Sequence, residues 1–313
     1  MREDCLVVVV KGEFPTYTKT KWFKVTDLRA MIKRKFGWTG VNVPVIGQGT
    51  WMIEDDPNTK SRAVETLRLG LKLGMTHIDT AEMYGDGHTE ELVAEAIAGQ
   101  RDKVFLVSKV LPSHGTYEGT IRACEQSLKR LNTDWLDMYL LHWPGSIPIR
   151  ETMGAMEKLV TEGLVRFIGV SNFDVEQLQA AENALRDQRM ACDQVLYHLG
   201  YRGIERRLLP YCKEQLIAVV GYAPFGHGIF PSSESAAGRL LAEIAERHGR
   251  TPRQVAINFL TRHSNVFTIP KTTHPERVKE NSGGVGWNLT AEEIERIDFT
   301  FPVQEYDMPL QMI

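Results

Sequence analysis

Residues 136–144 read Leu136-Asp137-Met138-Tyr139-Leu140-Leu141-His142-Trp143-Pro144. The run Leu136–Leu141 is too continuously apolar for a strand that shows one face to water, and fits a strand covered on both faces. It ends in a polar residue, and apolar residues recur at helical spacing on either side, over Tyr117–Leu131 and Glu151–Glu162. The same unit repeats from Val45 onward. Strand-like runs over Val45–Gly49, Thr76–Asp79, Val104–Ser108, Arg166–Val170, Cys192–Leu196, Ile217–Gly221 and Val266–Pro270 bring the total to eight, and helical patterns over Ser61–Leu73, Glu90–Ala98 and Val175–Leu185 fall between them.

Eight buried strands alternating with helices describe parallel βαβ units with right-handed crossovers. A doubly wound sheet needs fewer strands or a second domain, and no shift in composition divides the chain. The expected fold is α/β, a (β/α)8 TIM barrel. Three helix starts carry a hydroxyl three residues before Glu or Gln, the capping-box arrangement: Thr251-Pro252-Arg253-Gln254, Thr273-His274-Pro275-Glu276 and Thr290-Ala291-Glu292-Glu293. Lys35–Val45, with Thr39-Gly40 between extended runs, reads as an N-terminal β-hairpin closing the barrel bottom. Residues 1–32 have no counterpart in the repeat. Because Met31 stands just before the hairpin, residues 1–30 are expected to be an added or mis-assigned leader, with 33–313 forming a single barrel domain.

Composition narrows the classes of function. The chain has 313 residues, 42% hydrophobic and 25% charged, with a net charge of −3 and a pI near 6.3. No basic field exists to hold nucleic acid or anionic lipid, and Lys33-Arg34-Lys35 is too short to supply one. No apolar run approaches the roughly 20 residues that span a bilayer, and Leu6–Val10 is too short for a secretory segment. Cys5, Cys124, Cys192 and Cys212 are far apart and form no C-x-x-C pair, which speaks against structural zinc and disulfides alike. A cytoplasmic, monomeric, metal-free protein acting on a small molecule is expected.

In such a barrel the chemistry sits where strands deliver their C-terminal residues. Strand 2 ends in Asp79, with Tyr84 shortly after; strand 3 ends in Ser108-Lys109 and strand 4 in His142-Trp143. Loop capping does not require Asp, Tyr, Lys and His together on consecutive strand ends. As a proton-delivery unit they make sense. A phenol is a weak acid with a reference pKa of about 10, and a nearby ammonium favours its phenolate. Tyr84 is thus the candidate general acid, Lys109 its tuner, Asp79 the partner of Lys109, and His142 the group that orients a carbonyl. The set suits carbonyl reduction but lacks a hydride, which a cofactor must bring.

The later strand ends suggest its seat. Ser171, Asn172 and Gln194 are neutral groups able to grip a carboxamide, and Tyr222 offers a flat face to a ring. Lys271, Thr272 and Arg277 gather beside a helix start as an anion site. No G-x-G-x-x-G follows a strand; Gly85-Asp86-Gly87 is a fragment of that pattern in a loop. Trp51 and Trp143 follow strand ends at the active mouth and are expected to wall a substrate pocket.

At these residues the chain resembles the aldo-keto reductases, in a prokaryotic type. The matching pieces are Gly47-Gln48-Gly49-Thr50-Trp51, His77-Ile78-Asp79-Thr80-Ala81-Glu82-Met83-Tyr84-Gly85, Ser108-Lys109, Leu140-Leu141-His142-Trp143-Pro144, Gly169-Val170-Ser171-Asn172-Phe173, and Ile269-Pro270-Lys271 through Arg277 to Glu280-Asn281. They follow the family order over about residues 33–298. The resemblance implies reduction of aldehydes or ketones of small carbonyl compounds by NADPH (oxidised form NADP+), with NADH less favoured. It implies Asp79, Tyr84, Lys109 and His142 as the catalytic tetrad, Ser171, Asn172 and Gln194 on the carboxamide, and Tyr222 stacked on the nicotinamide. Lys271, Thr272 and Arg277 would hold a 2′-phosphate, with Glu280 and Asn281 near the adenine. After the stacking tyrosine the family often has Ser-Pro-Leu; here Ala223-Pro224-Phe225 lacks one hydroxyl contact to the cofactor. The segment Gly226–Ser235 is short, which suggests a loose cofactor clamp and fast release. The resemblance also admits a second class of function, a nicotinamide-binding regulatory subunit of a membrane channel. A metal-dependent barrel hydrolase is disfavoured because no H-x-H follows strand 1.

Overall fold

The computed structural model describes residues 31–53, 60–304 and 309–313. Residues 1–30 of the expected leader, and Cys5 with them, lie outside the described residues. The strands are β1 (Lys33–Lys35), β2 (Asn42–Pro44), β3 (Gln48–Gly49), β4 (His77–Asp79), β5 (Phe105–Val110), β6 (Leu136–Leu141), β7 (Val165–Ser171), β8 (Met190–Leu196), β9 (Ala218–Tyr222) and β10 (Val266–Thr268). The helices are α1 (Lys60–Lys72), α2 (His88–Ile97), α3 (Tyr117–Leu131), α4 (Ile149–Thr161), α5 (Val175–Ala184), α6 (Leu208–Glu214), α7 (Ala236–His248), α8 (Pro252–Leu260), α9 (Pro275–Ser282) and α10 (Ala291–Thr300).

From β3 to β10 each strand pairs in parallel with the next in sequence. The sheet then closes on itself. Ile46 bridges Thr268 and Gly49 bridges Lys271 in parallel, with Gly47 N–H donating to Thr268 O at 2.8 Å and Thr268 N–H to Val45 O at 2.9 Å. Gly49 belongs at this seam because a Cβ there would stand 2.6 Å from Ile269 O. The (β/α)8 barrel is the fold of this chain.

The hairpin pairs β1 with β2 antiparallel, Lys33 opposite Pro44. It begins two residues before the expected Lys35–Val45 span, and its second strand ends inside that span at Pro44; between the strands Phe36 and Trp38 form a plug. The Phe36 ring is fully buried against Phe105, Phe267 and His77, and Trp38 Nε1 donates to Met190 O at 2.7 Å. All four partners stand at or near the N-terminal ends of their strands, so the hairpin seals the bottom.

Strand alternation then puts the chemistry at the other end. Phe105 and Val107 face the barrel interior, as do Met138 and Leu140, Cys192, Val220, and Phe267 with Ile269. Continuing each row by its period of two reaches Lys109, His142, Gln194, Tyr222 and Lys271. The intervening residues, such as Leu106, Val110, Tyr139 and Val195, pack outward under the helices. Apolar layers fill the lower barrel and leave its C-terminal mouth to polar side chains.

Capping boxes form at Thr251–Gln254 and Thr290–Glu293. The one expected at Thr273–Glu276 does not. His274 is the N-cap of α9 and makes no side-chain cap bond. It precedes Pro275, whose ring excludes the helical region for His274 (φ −112°, ψ 115°), so the helix starts one residue too late for Thr273 to cap it. Thr272 Oγ1 instead accepts from His274 N–H at 3.0 Å. Among the described residues no helix is long and apolar enough to cross a membrane.

Candidate active site

A cavity of about 740 Å³ opens at the C-terminal mouth of the barrel. At its floor Lys109 Nζ donates to Asp79 Oδ1 at 2.5 Å, to Thr80 O at 2.9 Å and to the Tyr84 hydroxyl at 3.3 Å. Gln194 Nε2 donates to the other Asp79 oxygen at 2.7 Å. Lys109 is fully buried and Asp79 2% exposed, while Tyr84 and His142 keep 9% and 7% and reach the cavity. The His142 ring lies edge-on to Tyr84 with centroids 5.7 Å apart. The four residues expected to act together are therefore brought together.

The local fold explains each position. Tyr84 opens a turn in which Gly85, Asp86 and Gly87 all take positive φ (55°, 50° and 90°), after which α2 begins. Gly87 also lets Arg130 approach, since a Cβ there would stand 2.5 Å from its Nε. Arg130 Nε donates to Glu90 Oε2 at 2.6 Å and Ser108 Oγ to Glu90 Oε1 at 2.5 Å. This buried carboxylate ties the helix that follows Tyr84 to the strand that carries Lys109.

Electrostatics sharpen the roles. Burial lowers the basicity of Lys109, but the Asp79 carboxylate and the Tyr84 hydroxyl outweigh it and hold the ammonium above the ordinary lysine value. Burial, and then the Lys109 charge, push His142 well below the ordinary histidine value, so its imidazole is neutral. A neutral ring donates from one nitrogen only, which suits it to orient a carbonyl oxygen.

The expected cofactor seat lies on the opposite wall. Ser171 Oγ donates to Gln194 O at 2.8 Å, Asn172 Nδ2 donates to His142 O at 3.2 Å, and the Tyr222 hydroxyl donates to Asn172 Oδ1 at 2.8 Å. Asn172 and Ala223 hold left-handed backbone (φ 62° and 48°), the kind of local strain that gathers at functional sites. Ser171, Asn172, Gln194, Tyr222, Ala223, Pro224, Lys271 and Arg277 all line the cavity, as do Trp51 and Trp143. Thr272, Glu280 and Asn281 do not; Thr272 precedes α9, and Glu280 and Asn281 lie in its last turn. The Asn281 amide oxygen is buried without a hydrogen-bond partner among the described residues.

Several lining residues were not singled out in the sequence. Met52, Met83, His227, Phe230, Arg253, Met312 and Ile313 also face the cavity. The last two arrive because Tyr201 OH donates to Pro309 O at 3.0 Å and accepts from Gln311 N–H at 2.9 Å. His227 stacks on Trp51, with ring centroids 5.3 Å apart and planes 28° from parallel, joining the β9–α7 connection to the end of β3.

Comparison with known proteins agrees with this geometry. Residues 45–300 match the model of the Aldo/keto reductase family. The chain is 41% identical over 273 residues to methylglyoxal reductase YeaE of Escherichia coli (strain K12), covering 87% of this chain and 96% of that protein. It is 34% identical over 261 residues to the glyoxal reductase of Bacillus subtilis (strain 168), covering 83% and 89%. The crystal structure of an aldo-keto reductase from Klebsiella pneumoniae in complex with NADPH superposes with a TM-score of 0.85 at 41% identity, covering 91% of this chain and all of that one. These relatives are reductases, which favours catalysis over the channel-subunit alternative. On fold, site geometry and sequence together, the chain belongs to the aldo/keto reductase family.

Proposed function

We propose that this chain reduces aldehyde and ketone groups of small carbonyl compounds with NADPH, with Tyr84 as the general acid. The observation that carries the proposal is the bonded chain Gln194–Asp79–Lys109–Tyr84 at the floor of a cavity, with the neutral His142 ring beside the phenol. The residues present fit the cofactor: neutral amides and a hydroxyl on one wall, the Tyr222 ring among them, and Lys271 and Arg277 further out. Ser171, Asn172 and Gln194 would hold its carboxamide, Tyr222 its nicotinamide face, and Lys271, Thr272 and Arg277 its 2′-phosphate, with Glu280 and Asn281 beside the adenine. When bound, NADPH supplies the hydride that reaches the carbonyl carbon.

The protein's own groups do the rest. His142 donates a hydrogen bond that holds the carbonyl oxygen toward the phenol. Tyr84 gives that oxygen its proton, yielding the alcohol. The Lys109 ammonium, kept charged and in place by Asp79, stabilises the phenolate left behind. Trp51 and Trp143 wall the substrate side. Methylglyoxal and glyoxal, named for two relatives, head the substrate panel to try. All of these residues come from one barrel, so the chemistry needs no second subunit. Cys124, Cys192 and Cys212 are buried free thiols, the state kept in a reducing compartment, and the cytoplasm is the location we propose.

The test is NADPH oxidation against methylglyoxal, glyoxal, simple aldehydes, ketones and sugars. Turnover of at least one class is expected; none on any member would remove the reductase assignment. Substituting Lys271 or Arg277 should raise the KM for NADPH far more than that for NADH, and equal effects would remove the 2′-phosphate assignment.

A further inference from the structure

One cation in the cavity has no task in the scheme above. Arg253, in the first turn of α8, lines the same cavity as Lys271 and Arg277. Its guanidinium carbon lies 4.6 Å from the centre of the Phe225 ring and 5.1 Å from that of Phe230. The two rings meet edge-on, with centroids 5.7 Å apart. Aromatic contact steadies a guanidinium while leaving the N–H groups of its edge to fork onto an oxyanion. Among the described lining residues the single acidic side chain is that of Asp79, already engaged by Lys109 and Gln194 at the floor. A guanidinium held in place over a cavity, with no acidic side chain but Asp79 among the described lining residues, is a preformed anion contact.

We infer that Arg253 binds the diphosphate bridge of the dinucleotide. This rests on the cofactor assignment proposed above. A dinucleotide reaching from Tyr222 to Lys271 and Arg277 carries two anionic groups, and those two cations meet only the outer one, the 2′-phosphate. The diphosphate between them has no counter-charge among the residues assigned so far. Phe225 and Phe230 stand on the β9–α7 connection that follows Tyr222, so Arg253 is held from the nicotinamide side of the site. Since NADH and NADPH share the diphosphate, Arg253 serves both, unlike Lys271 and Arg277. It also joins the β9–α7 connection to the cofactor grip, through its two phenyl partners.

The test is direct binding, read from quenching of tryptophan fluorescence as NADPH or NADH is added to the wild type, Arg253→Gln, Arg253→Lys and Lys271→Met. Arg253→Gln is expected to raise Kd for both dinucleotides by a similar factor, about tenfold or more, and to weaken the dependence of Kd on salt. Arg253→Lys should recover part of the loss, which a damaged fold would not, and Lys271→Met should weaken NADPH selectively. An unchanged Kd for both dinucleotides in Arg253→Gln, or a loss confined to NADPH, overturns the inference. If the wild type binds neither dinucleotide, the cofactor assignment itself falls and the inference with it.

Discussion

The Lys109 ammonium lies 2.5 Å from Asp79 Oδ1, and neither side chain is open to solvent beyond 2%. Ion pairs so deeply buried rarely stabilise a fold more than apolar residues of the same shape, whereas removing one partner strands a charge in the interior. The pair is thus best understood by what it holds, the Tyr84 hydroxyl 3.3 Å away. Asp79→Asn should lower unfolding stability by about 3–5 kcal/mol and kcat by roughly a hundredfold or more. Urea unfolding and steady-state kinetics measure the two. A variant as stable and as active as the wild type would show that the carboxylate does not hold the ammonium.

His142 predicts the shape of the pH–rate profile. Burial and the Lys109 charge keep it neutral well below the ordinary histidine range, so no histidine ionisation should appear in kcat/KM between about pH 5 and 8. His142→Gln, which can still donate a hydrogen bond, should keep more activity than His142→Ala. A break near the ordinary histidine value that vanishes in both variants would contradict the neutral-imidazole assignment.

Much of this was legible beforehand, for identifiable reasons. The bounds of β6 and α3 coincide with their sequence patterns, Leu136–Leu141 and Tyr117–Leu131, because a doubly covered strand and a well-capped amphipathic helix each carry strong periodicity. The tetrad was legible because it sits at strand ends. Arg253, His227 and Met312 were not. Each belongs to a helix start, a connection or a tail, where the side chain reaches the site through tertiary packing rather than strand register. The cap at Thr273 failed because the hydroxyl pattern and the Pro275 constraint disagree by one residue, and sterics override a single hydrogen bond. Gln194 was expected at the carboxamide, but the bond from its amide to Asp79 could not be seen without the barrel's closure.

His77 predicts acid sensitivity. It is fully buried between Phe36 and Phe105, both ring nitrogens lack partners, and burial followed by the Lys109 charge lowers its pKa from 6.5 to about 3. A histidine with a depressed folded-state value adds stability that is complete above the unfolded value and is lost as pH falls. The window here runs from about pH 6.5 down to 3, at up to about 1.4 kcal/mol per pH unit. Unfolding free energies of the wild type and His77→Leu, compared from pH 7 to 4, should show the steeper slope in the wild type. Equal slopes would mean that the ring takes up its proton without unfolding.

The Trp51–His227 stack crosses from β3 to the β9–α7 connection at the cavity mouth. An aromatic pair of this kind contributes about 0.5–1.5 kcal/mol. His227→Ala should therefore speed NADP+ release roughly two- to tenfold, measured by stopped-flow fluorescence, with the chemical step unchanged. Release at the wild-type rate would show that the stack leaves the cofactor unrestrained.

The central claim is that Tyr84 delivers the proton. Single-turnover reduction of methylglyoxal by enzyme-bound NADPH, compared between the wild type and Tyr84→Phe with the NADPH Kd measured on each, tests it most directly. The predicted result is a rate lower by about 10²–10⁴ with the Kd unchanged. Reduction by Tyr84→Phe at the wild-type rate would contradict it.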